Sequence, residues 1–138
     1  MIEYKFTTDY IIELHADIIE ESGGVLGILN PEALDGAVNS IYASYDGIEL
    51  YPTLEEKAAA LCYNLINDHC FRDGNKRVGV IAMSQFLQVY NKHIEHSNQD
   101  LIKLGFNVAE GKMNREDILV WIKEREISLD ISEDKQIV

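Results

Sequence analysis

A nine-residue stretch of the chain combines the side-chain types that phosphate chemistry requires. It is His69–Arg77, which reads His-Cys-Phe-Arg-Asp-Gly-Asn-Lys-Arg. Asp73 can hold a divalent metal ion through oxygen. Gly74 allows a tight backbone turn in which successive N–H groups face an anion. Lys76 and Arg77 add two positive charges there, and an arginine can bind two phosphate oxygens at once. These residue types predict a phosphate-binding site.

The same stretch contains a candidate base and lies between two helical patterns. His69 is the side chain that can take up a proton near neutral pH. Apolar residues repeat at helical spacing over Leu54–Asn67 before the stretch and over Val78–Tyr90 after it. The N–H groups that open the second helix, together with the positive end of its dipole, favour a phosphate. We therefore expect a base beside the phosphate site.

The other patterns predict an all-α, single-domain protein of about six helices. Helix starts are indicated at four further places: Thr7 or Thr8, Asn30-Pro31, Asn98 and Asn114. The helix after Asn30-Pro31 is predicted to continue through Tyr45, until Asp46-Gly47 breaks it. Val78–Tyr90 is apolar on nearly all sides, which predicts the central helix of a bundle. Residues 128–138 are expected to be a polar, acidic tail.

The acidic balance of the chain limits the classes of partner. Its net charge is −12, from 24 acidic and 12 basic residues, whereas binding to nucleic acid relies on basic surface. The nine-residue stretch contains three cationic residues and one acidic residue, Asp73, so its own net charge is +2. This suits a small phosphorylated ligand. No apolar run approaches the length of a membrane span. Two cysteines without a signal peptide predict a reduced, cytoplasmic protein.

The pattern His-x-Phe-x-Asp-Gly-Asn-Lys-Arg resembles the core motif of the Fic/Doc superfamily. Seven of its nine positions match. The lysine at position 76 resembles the motif of the death-on-curing (Doc) branch, whereas the Fic branch proper usually carries a second glycine at that position. Cys70 departs from the pattern, since a proline is common at that place.

This resemblance implies that residues 1–127 form a Fic/Doc-type helical bundle. It also implies a toxin of a type II toxin–antitoxin system, which transfers a phosphoryl group from ATP to a threonine of elongation factor Tu and halts translation. Carried over by position, His69 is the base that deprotonates the attacking hydroxyl. Asp73 holds Mg²⁺. The phosphates are held by the amides around Gly74 and by the last three motif residues, Asn75, Lys76 and Arg77.

Two other functions stay open at this point. Fic relatives transfer AMP instead, so an adenylyl or other nucleotidyl transferase is the first alternative. Lys76 argues against it, because a long side chain fills space that a glycine leaves for an α-phosphate. The second alternative is a module that binds a partner without catalysis. The chain contains neither the glycine-rich loop of ordinary kinases nor a Walker motif.

A glycine-punctuated segment precedes the second helix and is a candidate for target docking. It contains Gly24, Val25, Leu26, Gly27, Ile28 and Leu29. Doc proteins have a similar Gly-Gly-x-x-Gly pattern here, and the resemblance implies a flap that aligns the target peptide by strand addition. The alternative is a connector whose aliphatic side chains pack into the core.

The resemblance also implies a partner that restrains the toxin. Self-inhibited Fic proteins carry a Ser/Thr-x-x-x-Glu motif, but no Ser or Thr of this chain is followed by Glu at the fourth position. We therefore expect an antitoxin, a small protein whose tail folds on binding. Its helix is expected in a groove near Gly24–Leu29, with an acidic or blocking residue beside Arg77.

Four further groups of residues have ordinary interpretations. His15 is predicted to be a packed or surface histidine, and Asp68 a solvated residue at a helix end. Phe71 is expected to anchor the motif in the core. Zinc ligation by the cysteines and the later histidines is disfavoured, because their spacing fits none of the common patterns (Cys62, Cys70, His93 and His96).

Overall fold

The computed structural model describes residues 6–128, which form a bundle of six α-helices. The helices are α1 (Thr8–Ser22), α2 (Pro31–Asn39), α3 (Leu54–Asn67), α4 (Asn75–Val89), α5 (Asn98–Ala109) and α6 (Arg115–Arg125). A 3₁₀ turn, Ser40–Tyr42, follows α2. The predicted all-α fold of about six helices is confirmed. The expected tail at 128–138 lies outside the described residues except for its first member.

Two short antiparallel strand pairs accompany the helices. Strands β1 (Ser44–Tyr45) and β2 (Ile48–Glu49) form a hairpin in which Tyr45 is opposite Ile48. Strands β3 (His93–Ile94) and β4 (Glu126–Ile127) join the segment after α4 to the end of α6. Each strand has only two residues, so these pairs lie beside the helices and do not form a sheet layer.

The centre of the bundle is shared by α3 and α4. Helix α3 packs against α2, α4, α5 and α6, while α4 packs against α1, α3 and α5. The two central helices touch closely at Gly79, where a Cβ would lie 2.6 Å from Cγ1 of Ile66 and 3.1 Å from the carbonyl oxygen of Cys62. This contact holds the start of α4 firmly against the end of α3.

Most helices begin at a side-chain cap, as the sequence predicts. The caps are Thr7, Asn30, Thr53, Ser97 and Asn114, and the last two form reciprocal capping boxes. The cap of α5 is Ser97, one residue before the predicted Asn98. Helix α4 differs, because it follows Gly74 in a left-handed conformation (φ 81°), and no side chain among residues 6–128 caps it.

The region after α2 corrects the predicted continuous helix. Helix α2 ends at Asn39, and the chain then passes through the 3₁₀ turn into the β1–β2 hairpin. Asp46 and Gly47 both have positive φ (52° and 77°), as a two-residue hairpin turn requires. Tyr45, expected in the apolar helical stripe, is 82% exposed. The Asp-Gly pair therefore makes a hairpin turn here.

Three further observations concern membrane-spanning helices, cysteine thiols and metal ligands. No helix among the described residues is long and apolar enough to cross a membrane. Cys62 and Cys70 are buried free thiols. Within residues 6–128, no three His, Cys, Asp or Glu side chains cluster so that they could hold a metal ion.

Candidate active site

The loop between α3 and α4 turns its candidate base outward and its neighbours inward. His69 has a left-handed backbone (φ 52°) and is exposed. The next two residues, Cys70 and Phe71, are buried at 0% and 1% exposure. The prediction that Phe71 anchors the loop in the core is confirmed. Because the loop is anchored from inside, the imidazole of His69 is presented to solvent on a held backbone.

Asn75 closes the loop with both ends of its side-chain amide. Its Nδ2 donates to the carbonyl oxygen of Phe71 at 2.9 Å, and its Oδ1 accepts from the N–H of Phe71 at 3.1 Å. In this geometry the side-chain oxygen and one N–H of Nδ2 are bonded to the loop. The backbone N–H of Asn75, at the first position of α4, is a further group that can face an anion.

The carboxylate of Asp73 is held by two backbone N–H groups. Oδ2 accepts from Val25 at 3.1 Å, and Oδ1 accepts from Gly74 at 2.8 Å. The hydrogen bond from Val25, then that from Gly74, and the charges of Arg77 and Lys76 hold the pKa of Asp73 below its ordinary value. The group is thus an anion near neutral pH, as a metal ligand must be.

The two cations of the motif lie on different sides of the helix start. Nη1 of Arg77 donates to Oγ of Ser22 and to the carbonyl oxygen of Gly23, both at 2.7 Å, and its Nη2 lies 3.7 Å from Asp73. Nζ of Lys76 instead lies 5.1 Å from the ring centroid of Phe106. With the N–H groups of the first turn, they make the start of α4 electropositive.

The segment Gly24–Leu29 pairs with the motif loop as an antiparallel bridge. Leu29 N–H donates to the carbonyl oxygen of Cys70 at 2.8 Å, and Arg72 N–H donates to that of Gly27 at 3.0 Å. Ile28 is opposite Phe71 in this bridge. The four aliphatic side chains are 38–61% exposed, so the alternative that they pack into the core is wrong.

Comparison with known proteins identifies the family. The model of the Fic/DOC family matches residues 5–87, which is more than half of the chain and includes both Gly24–Leu29 and the motif loop. The chain belongs to the Fic/DOC family. It is also similar to Toxin Doc of Mycolicibacterium smegmatis, with 40% identity over 67 residues, or 49% of this chain and 52% of that protein. The chain thus covers about half the length of this relative.

The geometry also places beside the Fic/DOC motif a residue that sequence reasoning missed. His15 of α1 is only 2% exposed. Its ring stacks on that of Phe71, with centroids 3.8 Å apart and planes within 6°. Its Nε2 lies 2.7 Å from the carbonyl oxygen of Asp73. Of the two predicted interpretations, a packed or a surface histidine, the structure confirms the packed one, but a contact between residues 15 and 73 has no local signal.

Asp68 lies next to the candidate base at the end of α3. Its carboxyl is partly shielded from water, which raises its pKa, while the positive charges of Arg115 and His69 lower it. Arg115 is held in place by a 2.8 Å hydrogen bond to Oδ1 of Asn64 and by the ring of Tyr63. Asp68 is exposed and caps the end of α3, which confirms the predicted solvated residue at a helix end. Its carboxyl is also electrostatically linked to both neighbours.

The donor set of the site is compatible with magnesium. Mg²⁺ is usually bound through one or two carboxylates, several waters and the phosphates of a substrate. Asp73 supplies one half-exposed, ionised carboxylate directly beside the electropositive start of α4. The residues that would hold the metal and the phosphates therefore adjoin each other.

Proposed function

We propose that this protein is a Doc-type toxin, which transfers a phosphoryl group from ATP to a Ser/Thr hydroxyl of a protein in the cytoplasm and so halts translation. The observation that supports the proposal is the start of α4. Among the described residues, no side chain caps this helix, so the N–H groups of its first turn are open to a ligand beside Asp73, Lys76 and Arg77. By resemblance, the target is elongation factor Tu.

Phosphoryl transfer requires positioning and charge neutralisation more than covalent participation of the protein. In the proposed reaction, His69 takes the proton of the target hydroxyl while the hydroxyl oxygen forms a bond to the γ-phosphorus. The bond from that phosphorus to the oxygen that bridges to the β-phosphate breaks, and ADP leaves with its electron pair. Lys76, Arg77 and the backbone N–H of Asn75 neutralise the phosphate charge. When bound at Asp73, Mg²⁺ supplies further charge neutralisation between the phosphates.

The exposed edge of the flap supports a peptide as the substrate. Gly27 and Leu29 direct a carbonyl and an N–H to the motif loop. Because these directions alternate along an extended chain, the N–H and C=O of Ile28 point to the opposite edge. A target peptide can add there as a strand, which would bring its hydroxyl toward His69. The exposed Val25 and Leu26 offer apolar contacts to such a peptide.

For the antitoxin helix we propose a different groove from the one expected near Gly24–Leu29. A groove of about 610 Å³ runs between α1, α4 and α5, with Lys76 and Arg77 in its lining. Its apolar lining is formed by Ile18, Val80, Ile81, Leu101, Ile102 and Phe106. We place the amphipathic tail of the antitoxin in this groove, with an acidic side chain beside the two cations.

One observation favours adenylyl transfer as a second candidate. In the sequence-based argument, Lys76 fills the space that a glycine leaves open. In the structure its ammonium group instead lies 5.1 Å from the ring centroid of Phe106 on α5, and we infer that this direction of the side chain leaves part of that space free. An α-phosphate could then occupy it.

ATP labelled at either the γ- or the α-phosphate separates these functions. The protein is incubated with a bacterial translation extract and each label, and labelled proteins are identified by mass spectrometry. We expect γ-label on a Ser or Thr of elongation factor Tu and no transfer by the His69→Asn variant. Transfer of α-label would establish adenylyl transfer instead. Absence of both labels, with folded protein, would leave the non-catalytic module.

A further inference from the structure

We infer that His15 is a positioning residue that fixes the orientation of the Asp73–Gly74 peptide group, and with it the direction of the Gly74 N–H toward the carboxylate of Asp73, the candidate metal ligand beside the anion site. The inference rests on the proposed function for its consequence, which is phosphate binding. Its structural part concerns the ligand-free loop alone.

The first step is the contact itself. Nε2 of His15 lies 2.7 Å from the carbonyl oxygen of Asp73. A carbonyl can only accept, so Nε2 must carry the proton and donate it. The imidazole is 2% exposed among apolar residues of α1. A polar ring in such a place costs stability unless it is hydrogen-bonded, and this bond satisfies it.

The second step follows from peptide planarity. The C=O of Asp73 and the N–H of Gly74 belong to one planar trans unit, so they point in opposite directions. When His15 holds the carbonyl toward α1, the Gly74 N–H must point away from α1. It then donates to Oδ1 of Asp73 at 2.8 Å. The same contact therefore sets the position of the candidate metal ligand.

The third step is that this peptide group needs such a restraint. Gly74 has φ 81°, and a glycine adopts positive or negative φ at similar cost. Rotation of the group would turn its carbonyl toward the Asp73 carboxylate, and an acceptor would then replace the donor that holds Oδ1. The stacking of His15 on Phe71 holds the ring from moving, and Asn75 holds Phe71 from the other side.

Two substitutions separate the hydrogen bond from the packing. His15→Gln keeps an N–H donor near the position of Nε2 but loses the ring. His15→Phe keeps the ring against Phe71 but loses the donor. Ile11→Val, one turn earlier on α1 at a residue with 0% exposure, is the matched control for a mild loss of stability. His15→Leu also lacks a donor and replaces His15→Phe if that variant does not fold.

The primary readout is the backbone amide NMR signal of Gly74 in the protein without ligand, and the second is calorimetric binding of ATP with Mg²⁺. We expect His15→Phe to shift the Gly74 signal and to weaken binding by roughly tenfold, as for loss of one hydrogen bond. His15→Gln and Ile11→Val are expected to keep the wild-type signal and affinity.

Two results would overturn the inference. A wild-type Gly74 signal in His15→Phe would show that His15 only fills space. An equal disturbance in His15→Gln would show that the ring, and not the donor, matters. If the wild-type protein binds no ATP, the proposed function fails, while the Gly74 signals of the variants still decide the role of His15.

Discussion

At the scale of single residues, the candidate base has a backbone that constrains how it can be tested. His69 has φ 52°, which asparagine tolerates but alanine adopts only at a cost of about 1–2 kcal/mol. We expect His69→Asn to reduce transfer from ATP by at least about a hundredfold, because it removes the general base. Its thermal midpoint should match the wild type, since the side chain is exposed.

Thermal unfolding and transfer of label are measured on the same preparations. His69→Ala serves as the comparison and should lose both activity and some stability. A His69→Asn variant with wild-type transfer would refute the assignment of the base.

The residue types of the site could be predicted from the sequence, but their partners could not. The motif indicates a carboxylate, a turn and two cations because the residues are adjacent in the chain. The sequence predicts Asn75 as a phosphate ligand. In the structure its side-chain amide is hydrogen-bonded to the backbone of Phe71 and closes the loop. His15 has its partners 56 and 58 positions away, at Phe71 and Asp73, and no local pattern reports such a contact.

At the scale of elements, the segment Gly24–Leu29 approaches the motif loop so closely that a Cβ added at Gly24 would displace neighbouring side chains. A Cβ at Gly24 would lie 2.6 Å from Oδ2 of Asp73 and 3.0 Å from Nη2 of Arg77, whereas one at Gly23 would meet nothing within 4 Å. Both glycines have positive φ. Gly23→Ala is therefore a control that carries backbone strain without the clash.

We expect Gly24→Ala to raise the pKa of Asp73 toward its ordinary value, because the clash displaces the carboxylate from the Val25 N–H that lowers this pKa most. Gly23→Ala should lose stability but leave the pKa of Asp73 below its ordinary value. An NMR titration of the Asp73 carboxyl in each variant measures the difference. An unchanged pKa of Asp73 in Gly24→Ala would contradict the inference that the segment Gly24–Leu29 holds this carboxylate in place.

Elements with strong local signals could be predicted, while those set by tertiary contacts could not. Thr53 and Asn114 mark their helices through the capping residues that follow them. The end of α2 carries no such mark, and its apolar pattern continues into Ile41 and Tyr42, which pack as a 3₁₀ turn. The pairing of Gly24–Leu29 with the motif loop likewise depends on how α1 and α4 meet.

At the scale of the whole molecule, a basic site and an apolar groove adjoin each other on an acidic body of net charge −12. The chain contains no Ser/Thr-x-x-x-Glu motif, so nothing of that kind is available to block Arg77 from within. We therefore expect that bacteria expressing this chain alone stop growing and that co-expression of an antitoxin encoded beside it restores growth. Normal growth with folded, soluble protein would contradict this.

The groove predicts which surface the antitoxin needs. Ile102 on α5 lies in its lining and is 51% exposed, while Val120 on α6 is 54% exposed and lies outside it. Both can become aspartate with little effect on the core.

We expect Ile102→Asp to remain toxic and to escape rescue, because a buried carboxylate in an apolar groove opposes docking of an amphipathic helix. Val120→Asp should remain toxic and still be rescued. Growth curves with and without the antitoxin measure both, and rescue of Ile102→Asp at the wild-type level would place the antitoxin elsewhere.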